Sequence, residues 1–171
     1  MESHAKLFGH AIHPILIVFP LGLLATSVIF DIISVVTGIT DFAIASFYGI
    51  AAGVIGGLLA AVFGFWDWLH IPEGTRAKAV GLWHGVGNVV IVVLFIVAWL
   101  LRGGQPSYLP MTLPLILELL GVGLALMTGW LGGELVERLG VGVDPEANLN
   151  APSSLSGRGP EAGRRGGRRL V

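Results

Sequence analysis

Cysteine is absent from this 171-residue chain. That excludes disulfides, thiolate nucleophiles, iron–sulfur clusters and cysteine-rich zinc sites. Charge is scarce as well: Asp, Glu, Lys and Arg make up 12% of the residues, against about 25% in a soluble domain. Neither sign dominates, and a formal net charge of −1 gives no reason to expect a nucleic-acid partner. The N-terminus does not read as a convincing secretory signal. Lys6 alone precedes an apolar run far longer than a signal-peptide core, so that run reads as an uncleaved first span. Any cofactor must be held by histidine, carboxylate, methionine or backbone.

What the chain has in abundance is apolar length. Hydrophobic residues make up 54% of it, and the mean hydropathy is +0.82. Crossing a hydrocarbon core takes about 20 mainly apolar residues. Four segments reach that length: Ala11–Val36 (interrupted by Asp31), Ala43–Trp66, Ala79–Leu101 and Leu109–Gly133 (interrupted by Glu118). Each is too long for a strand and too uniformly apolar for a soluble amphipathic helix. Turn residues join them at Thr37–Asp41, Pro72–Thr75 and Gly103–Pro106. Joints this short dictate an all-α, four-span antiparallel transmembrane bundle. The membrane domain then occupies residues 1–143. Residues 144–171, rich in Gly, Pro, Ser and Arg, form a tail that cannot bury enough surface to offset its ordering entropy and reads as disordered.

Basic residues set the expected orientation. Lys6, Arg76, Lys78, Arg138 and the tail arginines Arg158, Arg164, Arg165, Arg168 and Arg169 fall on the side of both termini, and only Arg102 on the other. The positive-inside rule places both termini in the cytoplasm of a bacterial inner membrane. Trp66, Trp68, Trp83 and Trp130 mark that interface, and Trp99, Tyr48 and Tyr108 the opposite one. The tail arginines fit two readings, contact with anionic headgroups or, the favoured one, a solvated tail with no role of its own. Gly49, Gly53 and Gly57, then Gly56, Ala60 and Gly64, then Gly121, Ala125, Gly129 and Gly133, form small-xxx-small stripes that let helices approach closely or leave room for a flat cofactor.

Because the spans alternate in direction, His10, His13, Asp67, His70, His84, Asn88 and Glu134 gather at the cytoplasmic end. Asp67 and His70, three apart, and His84 and Asn88, four apart, each share a helix face. His84 stands out because it lies inside its span, where an exposed surface role is least available, whereas His4 falls in a flexible leader. Three readings fit this set. In one, the polar groups cross-link helices and fix their register. In another, two histidines from different spans, drawn from His13, His84, His10 and His70, are the axial ligands of a b-type haem. In the third, His13, Asp67, His84 and Glu134 bind a divalent metal such as zinc or iron, although no H-E-x-x-H is present. At the other end Arg102 can reach back to pair with Asp31, Glu118 or both, as a structural salt bridge.

The motifs Gly9-His10-Ala11-Ile12-His13-Pro14 with Phe19-Pro20, Gly64-Phe65-Trp66-Asp67, His84 with Asn88, Gly129-Trp130-Leu131-Gly132-Gly133-Glu134-Leu135 and Gly140-Val141-Gly142-Val143 resemble a family of bacterial predicted membrane proteins known only as a domain of unknown function. The resemblance covers about residues 9 to 143. That family usually carries H-P-x-x-x-H-F-P, and here the second histidine is Val18. Its layout is similar to that of small b-type membrane cytochromes. The resulting expectation is a non-enzymatic membrane protein, since no H-x-x-x-x-D or cysteine nucleophile set is present. It would be a small haem b electron-transfer component facing a membrane redox partner or a second copy of itself in the lipid bilayer. The alternative is a cofactor-free or metal-binding accessory subunit or small transporter.

Overall fold

The computed structural model describes residues 1–166, with side chains to residue 163. Two short strands, β1 (Lys6–Leu7) and β2 (His10–Ala11), pair antiparallel around a Phe8-Gly9 turn in which both residues have positive φ. They lead into α1 (Ile12–Leu16) and α2 (Val18–Thr37), which together form the first span. The break between them has a covalent cause. Pro20 has no N–H to offer the Leu16 carbonyl four residues earlier, so the ladder is interrupted near Ile17. α3 (Thr40–Leu69), α4 (Arg76–Arg102) and α5 (Thr112–Gly133) are the other three spans, and α5 runs on through a π-type turn at Glu134–Arg138. The four long apolar helices and the near absence of sheet make this an all-α four-span membrane bundle.

The helix ends are fixed by ordinary capping chemistry. Gly38, at φ 74°, closes α2 by donating its N–H to Ser34 O at 2.8 Å. Thr75 Oγ1 accepts from Lys78 N at 3.2 Å and starts α4. Lys78, read from sequence as an interfacial cation, works instead as a cap. Its Nζ donates to Trp68 O and Leu69 O at the end of α3, lies 4.2 Å from the Trp68 ring centre and pairs with Glu73. α3 spans about 45 Å at 1.5 Å per residue, longer than a hydrocarbon core of about 30 Å. The surplus length carries Asp67 to the helix end.

Burial is inverted relative to a soluble protein. Leu24, Val28, Ile50, Ile91 and Phe95 form the apolar core, but the fully buried side chains also include Asp31, Arg102 and Glu118. Large apolar residues cover the outside, among them Ile29, Val36, Leu58, Val62 and Leu126. Such a surface suits lipid, and the polar groups are turned inward because lipid cannot solvate them. Trp99 departs from the expected aromatic belt. It packs on the core and stacks on Phe47 at 5.1 Å between centroids.

The tail reading falls partly beyond the described chain: Arg168 and Arg169 lie outside the described residues, as do the side chains of Arg164 and Arg165. From 140 to 163 the chain runs through turns, a 3-10 turn at Ser154–Ser156 and the start of a short helix, α6 (Glu161–Gly166). It adds no residue to the apolar core. It does meet the N-terminal segment: Gly142 N donates to Met1 O at 2.8 Å, and Ser154 Oγ lies 3.3 Å from His10 Nε2.

Candidate functional site: a histidine pair and a buried ion triad

His13 and His84 face one another across the bundle, with ring centroids 6.3 Å apart and planes at 84°. Each ring is tied to a neighbouring helix in the same way. His13 Nδ1 lies 2.8 Å from Ala60 O on α3, and His84 Nδ1 lies 2.8 Å from Thr128 O on α5. A carbonyl can only accept, so each imidazole carries a hydrogen on Nδ1, and in the neutral ring the lone pair is then on Nε2. Glycines make the space: a Cβ on Gly64 would sit 2.8 Å from His13 Nδ1, and one on Gly132 would sit 3.2 Å from His84 Cε1. His84 has a further partner. Asn88 Nδ2 lies 3.2 Å from His84 Nε2 and 2.8 Å from His84 O, and Asn88 Oδ1 accepts from Thr128 Oγ1 at 3.4 Å.

The other predicted residues at this end are engaged elsewhere. Asp67 accepts from Ser3 Oγ at 2.7 Å, His4 N at 2.8 Å and Ala5 N at 3.2 Å, so its carboxylate anchors the segment before β1. Glu134 pairs with Arg76 at 2.7 Å. His70 Nδ1 donates to Trp66 O at 2.8 Å, and its ring stacks on His4 at 4.0 Å. His10 is exposed beside Ser154. Among the described residues no three His, Asp or Glu side chains stand close enough to hold a metal ion. The predicted set His13, Asp67, His84 and Glu134 is therefore not gathered here, because backbone amides and Arg76 occupy the two carboxylates. His4, expected in a flexible leader, is held by Asp67 and His70.

The anchoring role of Asp67 has a direct consequence. Asp67→Ala removes a charged acceptor that serves three donors, each such bond contributing about 1.5–3 kcal/mol. The amide protons of His4 and Ala5 are then expected to exchange at least tenfold faster by hydrogen–deuterium exchange. Helix content should stay unchanged.

At the opposite end Arg102, Asp31 and Glu118 form the triad expected from sequence, and Arg102 reaches both acids. Its two terminal nitrogens grip Asp31 side-on at 2.6 and 2.7 Å, while Nη1 also donates to Glu118 Oε1 at 2.9 Å. Ser46 Oγ lies 3.2 Å from Nη1 and donates to Asp31 Oδ2 at 2.5 Å. Ala43 O accepts from Nη2 at 3.1 Å, and Tyr108 O accepts from Nε at 3.0 Å. The loop between α4 and α5 turns inward to supply that last carbonyl. Ser107 and Tyr108 adopt φ of 52° and 53°, and the Tyr108 ring stacks on Phe47 at 4.0 Å.

A family model described as Predicted membrane protein (DUF2231) matches residues 9–145, a stretch that holds the histidine pair, the ion triad and all four spans. The chain belongs to that family. No curated protein and no solved structure matches the chain.

Within the DUF2231 domain the two helical hairpins repeat one another. Eighteen residues, five helical turns, separate His13 from Asp31 and likewise His84 from Arg102, so each pair lies on one helix face. Leu24 and Phe95 lie at matching positions between them, and the space they fill is left by Gly53 and Gly121 respectively. On the partner helices, Gly53, Ala60 and Gly64 recur with the same spacing as Gly121, Thr128 and Gly132. Equivalent residues also touch: His13 meets His84, and Asp31 meets Arg102. Contacts between equivalent positions are the signature of an approximate twofold axis, here running along the bundle as in parallel-repeat transporters. Sequence reading missed this repeat, together with Ser46 and the Ala60 and Thr128 carbonyls. The signal for the repeat was present in the equal spacings.

Proposed function

We propose that this chain is a small membrane carrier of haem b, which His13 and His84, one from each hairpin, would hold. The observation that carries the reading is the pair of imidazoles, each locked by Nδ1–H to a backbone carbonyl. That bond favours the tautomer whose Nε2 can act as a ligand, directly in His13 and in His84 once Asn88 gives way. Two ligands are too few for a structural zinc, which takes four protein donors. They suffice for haem, whose macrocycle brings its own four nitrogens. When bound, haem supplies a one-electron couple. The protein's part is to hold the two rings apart, keep Nε2 unprotonated and exclude water with the apolar bundle. Lys6, Arg76, Lys78 and Arg138 favour a cytoplasmic position for this end, where a membrane redox partner or a second copy of the chain would meet it.

The full chain purified from haem-replete cells is expected to show a Soret band. His13→Ala and His84→Ala should each remove it, and Gly64→Ala should weaken it by pushing on His13. A colourless wild-type protein would sink the reading, as would a band that survives both histidine substitutions. One observation favours a second, structural reading: Asn88 already donates to His84 Nε2 and satisfies that imidazole without any cofactor. On that reading the protein is colourless, and His84→Ala loosens the α4–α5 contact instead.

A further inference from the structure

The triad at the other end does not balance as fixed charges. Two carboxyl groups face one guanidinium, all three fully buried in a bundle whose outer surface is apolar. The guanidinium has nothing left to give: Nε serves Tyr108 O, Nη1 serves Asp31, Ser46 and Glu118, and Nη2 serves Asp31 and Ala43 O. The Ser46 hydroxyl spends its hydrogen on Asp31. Glu118 Oε2 is buried and receives no hydrogen bond from the described residues.

That orphan oxygen belongs to a carboxyl that shares one nitrogen with Asp31: Arg102 Nη1 lies 2.9 Å from Glu118 Oε1 and 2.6 Å from Asp31 Oδ2. Ionised carboxylates are acceptors only, so two of them in contact repel unless one carries a hydrogen. Two ionised carboxylates around one guanidinium would leave a net charge of −1 in a site with no exposure, which lipid cannot solvate. Among the described residues no histidine, lysine or second arginine hydrogen-bonds or ion-pairs with the group; its polar surroundings are Ser46 and the Ala43 and Tyr108 carbonyls.

We propose that Asp31 and Glu118 form a binding site for one proton, shared between the two carboxyls and drawn from solvent, which leaves the Arg102 triad electrically neutral. The site stands apart from the histidine pair. Eighteen residues of helix, about 27 Å, separate Asp31 from His13. Its occupancy follows proton activity on the Arg102 side of the membrane, while the histidines sit at the other.

The test is infrared difference spectroscopy on the full chain in lipid vesicles at neutral pH. A protonated carboxyl shows a C=O stretch above the amide I band that moves down in D2O. Wild-type protein is expected to show one such band. Glu118→Gln and Asp31→Asn each leave a single acid balanced by Arg102, so each is expected to abolish the band; both keep the side-chain size and an acceptor for the guanidinium. Absence of the band in wild type would overturn the proposal without recourse to any variant. Its persistence in either variant would overturn the sharing of the proton. Neither result bears on whether the His13–His84 end holds haem.

Discussion

Replacing Arg102 with methionine is expected to lower the stability of the bundle by about 3–5 kcal/mol, the range for stranding a buried charge by removing its partner. The residue contributes every one of its donors to a site with no exposure, and the acceptors belong to three different helices and a loop. Without it, Asp31 and Glu118 face each other with only Ser46 between hydroxyl and carbonyl partners. Water cannot enter from a lipid-facing surface to solvate them. The informative control is a triple substitution, Asp31→Leu with Arg102→Met and Glu118→Leu. Buried ion clusters replaced as a unit by apolar residues of similar volume are often neutral or stabilising. The triple variant should therefore recover most of the loss, short of about 1 kcal/mol for the Tyr108 carbonyl left without a donor. SDS-induced unfolding in mixed micelles, followed by helical circular dichroism, measures both. An Arg102→Met protein as stable as wild type would show that the triad holds nothing together. A triple variant as damaged as the single one would show that shape, and not charge, is what the site requires.

The same contrast explains what could and could not be read from the sequence. Four apolar runs with turn residues between them determine a four-span bundle almost without alternatives, because a bilayer admits few structures. The triad was legible for a related reason: ionisable groups inside spans must find each other. The histidine end was harder. His13 and His84 bond to backbone carbonyls, and every residue carries a carbonyl, so nothing in the sequence marks Ala60 or Thr128 as the acceptor. Asp67 was misplaced for the same cause, since two of its three donors are the backbone N–H groups of His4 and Ala5. A carboxylate beside histidines suggests a metal by residue type, but residue type does not reveal amides. The partners of Lys78 were hidden for the same cause, because two of them are carbonyls at the end of α3. The glycine stripes were half informative. Spacing shows which glycines share a face, but not which face meets a neighbour.

That last distinction supports a second large effect. Gly121 and Gly129 lie on one face of α5, two turns apart, yet their surroundings differ completely. A Cβ on Gly121 would lie 2.7 Å from Phe95 Cε2 and 3.1 Å from Cδ2, whereas one on Gly129 would meet nothing within 4 Å. The Phe95 ring cannot yield easily, because it is packed among Leu24, Val28, Ile50 and Ile91 at the centre of the core. Gly121→Leu is expected to prise α4 from α5 and cost about 3 kcal/mol, the upper end for overpacking. Gly129→Leu should be neutral or stabilising by up to about 1 kcal/mol, as leucine replaces glycine in a lipid-facing helix turn. In a bilayer the lipid chains remove most of the hydrophobic drive between helices, so close packing is what remains to be lost. Moving the volume from one helix to the other tests the cause. Phe95→Ala alone should open a cavity, but combined with Gly121→Leu it should recover part of both losses, with a coupling of about 0.5–3 kcal/mol in a double-mutant cycle. Strict additivity would mean that Gly121 does not serve Phe95. Since Gly53 leaves the matching space for Leu24 in the first hairpin, the same cycle built on that pair should show coupling of the same sign. If only the second hairpin couples, the two halves share a spacing without sharing a packing, and the twofold relation that brings His13 to His84 would rest on sequence pattern alone.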